Sequence, residues 1–244
     1  MPSTTTPSNA DRTNLAAPLH VGMLLYPQMT LLDLAGPHGV LGLHAHTHLL
    51  WKTLDPVTAD TGISLLPTTT FADCPDDLDV LFVPGGFGTT AAMNDPEILT
   101  FLASRGQRAR YVTSVCSGSL ILAAAGLLDG YDAATHWAAY PALERLRVHS
   151  VHKRVVIDRN RVTGGGVTAG IDFGLALLAE LRGEMAARTT QLMLEYDPQP
   201  PFVSGTPETA GPEVTAAVQA MLQPFDAELT QTVTRIGQER RHAS

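Results

Sequence analysis

The chain has 244 residues, 44% hydrophobic and 16% charged, which is length and apolar content enough for one substantial core and excludes a disordered chain. Its 16 basic and 24 acidic residues leave a net charge of −8, which speaks against nucleic acid and anionic membrane as partners. Two cysteines, Cys74 and Cys116, exclude a disulfide framework and a cysteine-based zinc finger, and no apolar run approaches the ~20 residues of a membrane span.

In chain order, residues 1–18 are polar, with neither a basic start nor an apolar stretch. They read as a disordered leader rather than a secretory signal, and the protein as cytoplasmic. One domain is expected over 19–236, with a flexible tail at 237–244. LHVGMLLYP suits a strand buried on both faces. MTLLDLAGPHGVLGLHA has helical spacing broken at Gly36-Pro37, so a kinked helix or two short turns is predicted. HLLWKTLD is a second strand, and ISLLPTTT an extended or edge run. DVLFVPGG is a buried strand stopped by Pro84-Gly85-Gly86. DPEILTFLASRG is an amphipathic helix, capped by Asp95 with Pro96 in its first turn. YVTSV is a strand that runs into the apolar helix CSGSLILAAAGLL. A short strand at YDAAT, a helix near HWAAYPALERL and a hairpin VHKRVVIDRN/RVTGG follow. Helices are then predicted from Thr168 to Leu181, around Met185–Leu194 and from Glu213 to Arg235, the last able to pack on the body or on a partner. The alternation of strand and helix predicts an α/β fold, a mostly parallel sheet covered on both faces.

Cys116 carries the main chemical signal. A cysteine at a sharp strand-to-helix turn is pushed out over the end of the sheet, and the helix N-terminus behind it should lower the thiol pKa; the alternative is a buried structural cysteine. Gly85 and Gly86 end the neighbouring strand, so their N–H groups, with that of Ser117, could form an anion hole beside Cys116, or simply a tight turn. Asp33 lies on an apolar segment after the first strand, where an ionised carboxylate needs a partner. It could hold and hand over a proton, or cap a helix. His136 could be a base for the cysteine or a helix-start residue. Asp172 could shape the site or complement a helix dipole. His44, His46 and His48 alternate without a carboxylate or cysteine set, so no metal site is expected. Gly164-Gly165-Gly166 resembles a dinucleotide loop only formally, because no acidic residue follows at the expected distance; no cofactor is expected. Cys74 reads as structural.

The pieces YPQMTLLDLAGPHGVL, FADCP, FVPGG, RYVTSVCSGSLILAAAGLL, ATHWA, VTGGGVTAGIDF and QLMLEYDPQPPF resemble the ThiJ/PfpI superfamily over about Leu19 to Phe202. Within it the chain is most similar to the isonitrile hydratases, in which an Asp stands where many relatives carry Glu, the place of Asp33. The resemblance implies a flavodoxin-like fold with a nucleophile elbow, a homodimer, and hydration of an isocyanide to the formamide without a cofactor. It implies Cys116 as nucleophile, Asp33 as acid and base, and Ser117 and Gly86 as positioning groups. Ser117 departs from the Thr expected there: the hydroxyl survives and the methyl that restricts its rotamer is lost. Rival readings are a glyoxalase-like activity and a non-catalytic redox sensor. The domain also resembles the N-terminal half of AraC-type regulators, but only one helix and a short QERRHAS end follow, so DNA binding is not expected.

Overall fold

Four apolar runs form the centre of a sheet in the computed structural model, which describes residues 18–243. The expected leader lies, apart from Pro18, outside the described residues. β1 (Leu19–Leu24) is followed by α1 (Leu31–Leu41) and β2 (Ala45–Trp51). A two-residue hairpin, β3 (Val57–Thr58) with β4 (Ser64–Leu65), precedes the short edge strand β5 (Thr69–Thr70). β6 (Val80–Val83), α2 (Thr89–Met93), α3 (Pro96–Gly106), β7 (Tyr111–Val115) and α4 (Gly118–Ala124) come next. β8 (Asp132–Ala133), a 3₁₀ turn at Trp137–Ala139, α5 (Tyr140–Arg145) and β9 (His149–Ser150) lead to the hairpin of β10 (Val155–Asp158) and β11 (Arg161–Gly164). α6 (Ala169–Arg182), α7 (Glu184–Met193) and α8 (Pro207–Ala243) complete the chain.

The main sheet has the order β10-β11-β7-β6-β1-β2-β5, parallel throughout except for β10. Two sets of mutually packed helices, α1-α6-α7 and α2-α3-α4-α5-α8, cover it, so both faces of the central strands are buried as their unbroken apolar runs require. Phe82 of β6 and Phe173 of α6 meet in the core at a ring separation of 5.7 Å. The strand order reverses at β1, with β2 on one side and β6 on the other, which opens a crevice at the carboxyl ends of β1 and β6. Register aligns Val83 with Ser114, bringing Gly85 level with Cys116.

Three expectations change. α1 is one helix with Pro37 inside it, packed so closely on α6 that a Cβ on Gly170 would come within 2.9 Å of the proline ring. That contact offsets the backbone hydrogen bond Pro37 cannot make. α8 starts at Pro207, bends at Gly211 (φ 79°) and then runs from Pro212, one residue before the predicted start. It continues as helix to Ala243, where a flexible tail is expected. No helix among the described residues is long and apolar enough to cross a membrane.

Candidate active site

Three loops converge at the carboxyl edge. The β7–α4 turn carries Cys116 at φ 57°, a left-handed conformation that costs a residue with a Cβ ~1–2 kcal/mol. Its backbone is held from several directions. The Cys116 N–H donates to the carbonyls of Gly165 at 2.7 Å and Gly164 at 3.1 Å. Its carbonyl accepts from the hydroxyls of Thr135 at 3.0 Å and Ser119 at 3.3 Å. The carbonyls of Gly164 and Gly165, at the end of β11, thus hold the elbow in place.

The β6–α2 loop approaches the elbow without space for side chains. A Cβ on Gly85 would lie 2.6 Å from Ser117 Oγ and 2.9 Å from Cys116 Cβ. Gly86 sits at φ 141° and forms a bridge with Met29, where a Cβ would fall 2.6 Å from the carbonyl of Gln28. The two glycine amides do not stand open as an anion hole: Gly85 N–H donates to Asp33 Oδ2 at 2.8 Å and Gly86 N–H to Ser117 Oγ at 3.1 Å. Strand register turns both amides onto side chains of the site, so they position those groups instead.

Asp33, in the first turn of α1, is fully buried and does not cap its own helix. Burial pushes its carboxyl up to about 7, against the pull of the Gly85 N–H and of Cys116. Oδ1 is buried with no partner in hydrogen-bond geometry. The Cys116 thiol is also buried, and its pKa moves well above the ordinary thiol value, first through burial and then through the Asp33 carboxylate. The Ser117 N–H pulls the other way but does not win. The expected lowering of the thiol pKa by the helix end is thus overturned: a dry site and a neighbouring carboxylate outweigh one turn of amides.

Ser117 Oγ lies 2.8 Å from Thr89 Oγ1, which lies 3.4 Å from the Tyr26 hydroxyl; that hydroxyl donates to the Pro84 carbonyl at 2.9 Å. Gly86 and Thr89 together supply the rotamer control that a Thr methyl would give. Tyr26, Thr89 and the carbonyls of Gly164 and Gly165 are site residues that sequence reasoning missed; the GTT following the FVPGG stop was the available hint.

Cys116, Ser117, Gly86, Thr89 and His136 border one cavity of about 170 Å³. His136 lies in its wall, its Nδ1 accepting from Ala138 N–H at 3.3 Å to cap the 3₁₀ turn, and burial lowers its pKa. Asp172 is not in the cavity: it holds Arg154 at 2.7 Å and accepts from the Tyr196 hydroxyl at 2.9 Å, an ion pair at the start of α6. Of the alternating histidines, His44 bonds Thr190 at 2.8 Å and His48 bonds His20 at 3.1 Å, while His46 lies against the His20 ring at 5.7 Å. Among the described residues no group of three or more His, Cys, Asp or Glu side chains is arranged for a metal ion. Cys74 is buried away from the site, its thiol donating to the Pro75 carbonyl at 3.5 Å.

Comparison with known proteins fits this geometry. Residues 20–180 match the DJ-1/PfpI family. The chain is 55% identical over 194 residues to the isonitrile hydratase of Pseudomonas putida, covering 79% of this chain and 85% of that protein. It is 32% identical over 230 residues to the HTH-type transcriptional regulator GbdR of Pseudomonas aeruginosa, spanning 86% of this chain and 62% of the regulator. A crystal structure of a ThiJ/PfpI family protein from Pseudomonas syringae superposes with a TM-score of 0.86 at 48% identity, covering 96% of this chain and 98% of that one. Schizosaccharomyces pombe DJ-1 shares the fold at a TM-score of 0.65 and 16% identity, covering 73% of this chain and 100% of that one. Together with the sheet order and the elbow, these matches establish that the chain belongs to the DJ-1/PfpI family.

Proposed function

We propose that this protein hydrates organic isocyanides to N-substituted formamides, with Cys116 as nucleophile and Asp33 as proton carrier. The observation that carries the reading is a fully buried carboxyl, titrating at about 7, against a thiol that is hard to ionise. Such a pair retains one proton between its members near neutral pH. The 55% identity to an isonitrile hydratase supports the reaction class.

In the first step the Cys116 sulfur forms a bond to the terminal isocyanide carbon. Its proton passes through Asp33 to that same carbon, leaving a neutral thioimidate and an Asp33 carboxylate. In the second step Asp33 takes a proton from water as the water oxygen bonds to the carbon, and returns the proton to nitrogen. Collapse breaks the carbon–sulfur bond, the hydroxyl proton returns to sulfur, and the formamide leaves. Ser117, fixed by Gly86 and Thr89, orients the water. These steps need proton transfers and one carbon–sulfur bond, and route through no metal or cofactor. A redox-sensing role fits less well, because cysteine oxidation follows thiolate character and exposure, and Cys116 is 7% exposed with a raised pKa.

The test is formamide formation from cyclohexyl isocyanide by the purified protein. Turnover is expected for the native chain and none for Cys116→Ala. Equal turnover in both, or none in the native protein, overturns the reading.

A further inference from the structure

The walls of the cavity over Cys116 come from two parts of the chain. The floor is formed by the sheet-edge loops, and the cover by α8, which lies beyond the residues 20–180 matched to the family. Leu222, Phe225 and Leu229 all border the cavity. Their spacing of three and four residues sets them on one helical face. Phe225 stacks on Phe87 of the β6–α2 loop with ring centres 4.4 Å apart and planes 28° apart. Both rings are only half-covered, at 41% and 46% exposure, as suits a pair at a cavity mouth.

Resting on the hydratase reading above, we propose that the Phe87–Phe225 pair is a size gate, and that α8 restricts the substrate to isocyanides whose substituent is no larger than a single ring. The volume supports that limit. The cavity is about 170 Å³, and an apolar protein cavity of ~150 Å³ holds one benzene. Drug-sized ligands occupy pockets of ~300 Å³ or more, so the part of a fused bicyclic substituent beyond its first ring meets the Phe87–Phe225 pair at the open mouth. Leu222, Leu229 and Val167 offer a single-ring substituent apolar contact, and the Asp226 carboxylate at the border disfavours an anionic one.

Phe225→Ala and Phe225→Trp test the gate, each read in two ways. Turnover of phenyl and 2-naphthyl isocyanide gives a kcat/KM ratio. Labelling of Cys116 by iodoacetamide and by N-(1-pyrenyl)maleimide gives a ratio that needs no isocyanide chemistry. Phe225→Ala should raise the bulky-to-small ratio about tenfold in both, mainly through KM in the first, and Phe225→Trp should lower both. If no isocyanide is turned over while the labelling ratio still moves, the gate stands and the hydratase reading falls. If neither variant changes the labelling ratio, the gate is wrong, whatever the turnover.

Discussion

Burial makes both Asp33 and Cys116 harder to ionise; the Asp33 carboxylate pushes the thiol further up, while Cys116 pulls Asp33 partly back down. Below about pH 7 both hold their protons, and the thiol has no group to receive its own. As pH rises through about 7 Asp33 ionises, leaving one proton on the pair, the state that attack requires. The expected profile is therefore a kcat/KM that rises with pH through an apparent pKa near 7, then holds until the thiol itself titrates, well above its ordinary value. Asp33→Asn should remove the rise and cost at least about 100-fold in kcat/KM, the usual worth of a positioned proton carrier. A rate that falls through pH 7 would contradict the assignment. At this scale Cys116, Asp33 and Ser117 are legible because a junction position and an acid in an apolar run are local signals. Thr89 and Tyr26 are not, since their hydroxyls meet Ser117 and Pro84 only once β1, β6 and β7 lie side by side. Asp172 shows the converse: an acid in a helix's first turn reads the same whether it faces a cavity or, as here, an arginine at the surface.

Among the elements, α3 shows how far local chemistry reaches. Asp95 accepts from the N–H groups of Glu97 at 3.0 Å and Ile98 at 3.3 Å, with Pro96 following, as its sequence predicts. Lys52 from the end of β2 adds an ion pair that no local pattern announces. Asp95→Ala should cost about 1–2 kcal/mol, most of it the cap, and lower Tm by about 2–4 °C per kcal/mol in a scanning calorimeter. An unchanged Tm would mean that the cap contributes nothing here. α2 escapes the sequence reading because five residues, TTAAM, carry no helical period, and yet it delivers Thr89 to the site. α8 was legible as a helix but not as a cavity wall, because the packing of its apolar face depends on where the Pro-rich connection delivers it.

At the scale of the molecule, the reversal of strand order at β1 gathers all three site loops at one edge, and that convergence follows from the predicted parallel α/β topology. The surface away from this edge is less balanced: Leu192, Met193, Phe202 and Val203 stand exposed around the end of α7 and the segment after it. The homodimer expected from the sequence would cover such side chains, burying ~1,200–2,000 Å² in all. Light scattering should give twice the 26.0 kDa chain mass, and Leu192→Asp with Phe202→Asp should shift the protein towards monomer. A monomeric native protein would remove the dimer from the account.

In the proposed reaction Cys116 bonds to the isocyanide carbon and Asp33 then drives its release by water. Rapid acid quench during turnover of cyclohexyl isocyanide, followed by mass spectrometry of the Cys116 peptide, tests it most directly. A transient gain of one isocyanide mass on Cys116, decaying as formamide appears, is the expected result. Formamide produced with Cys116 never modified at any time point would contradict it.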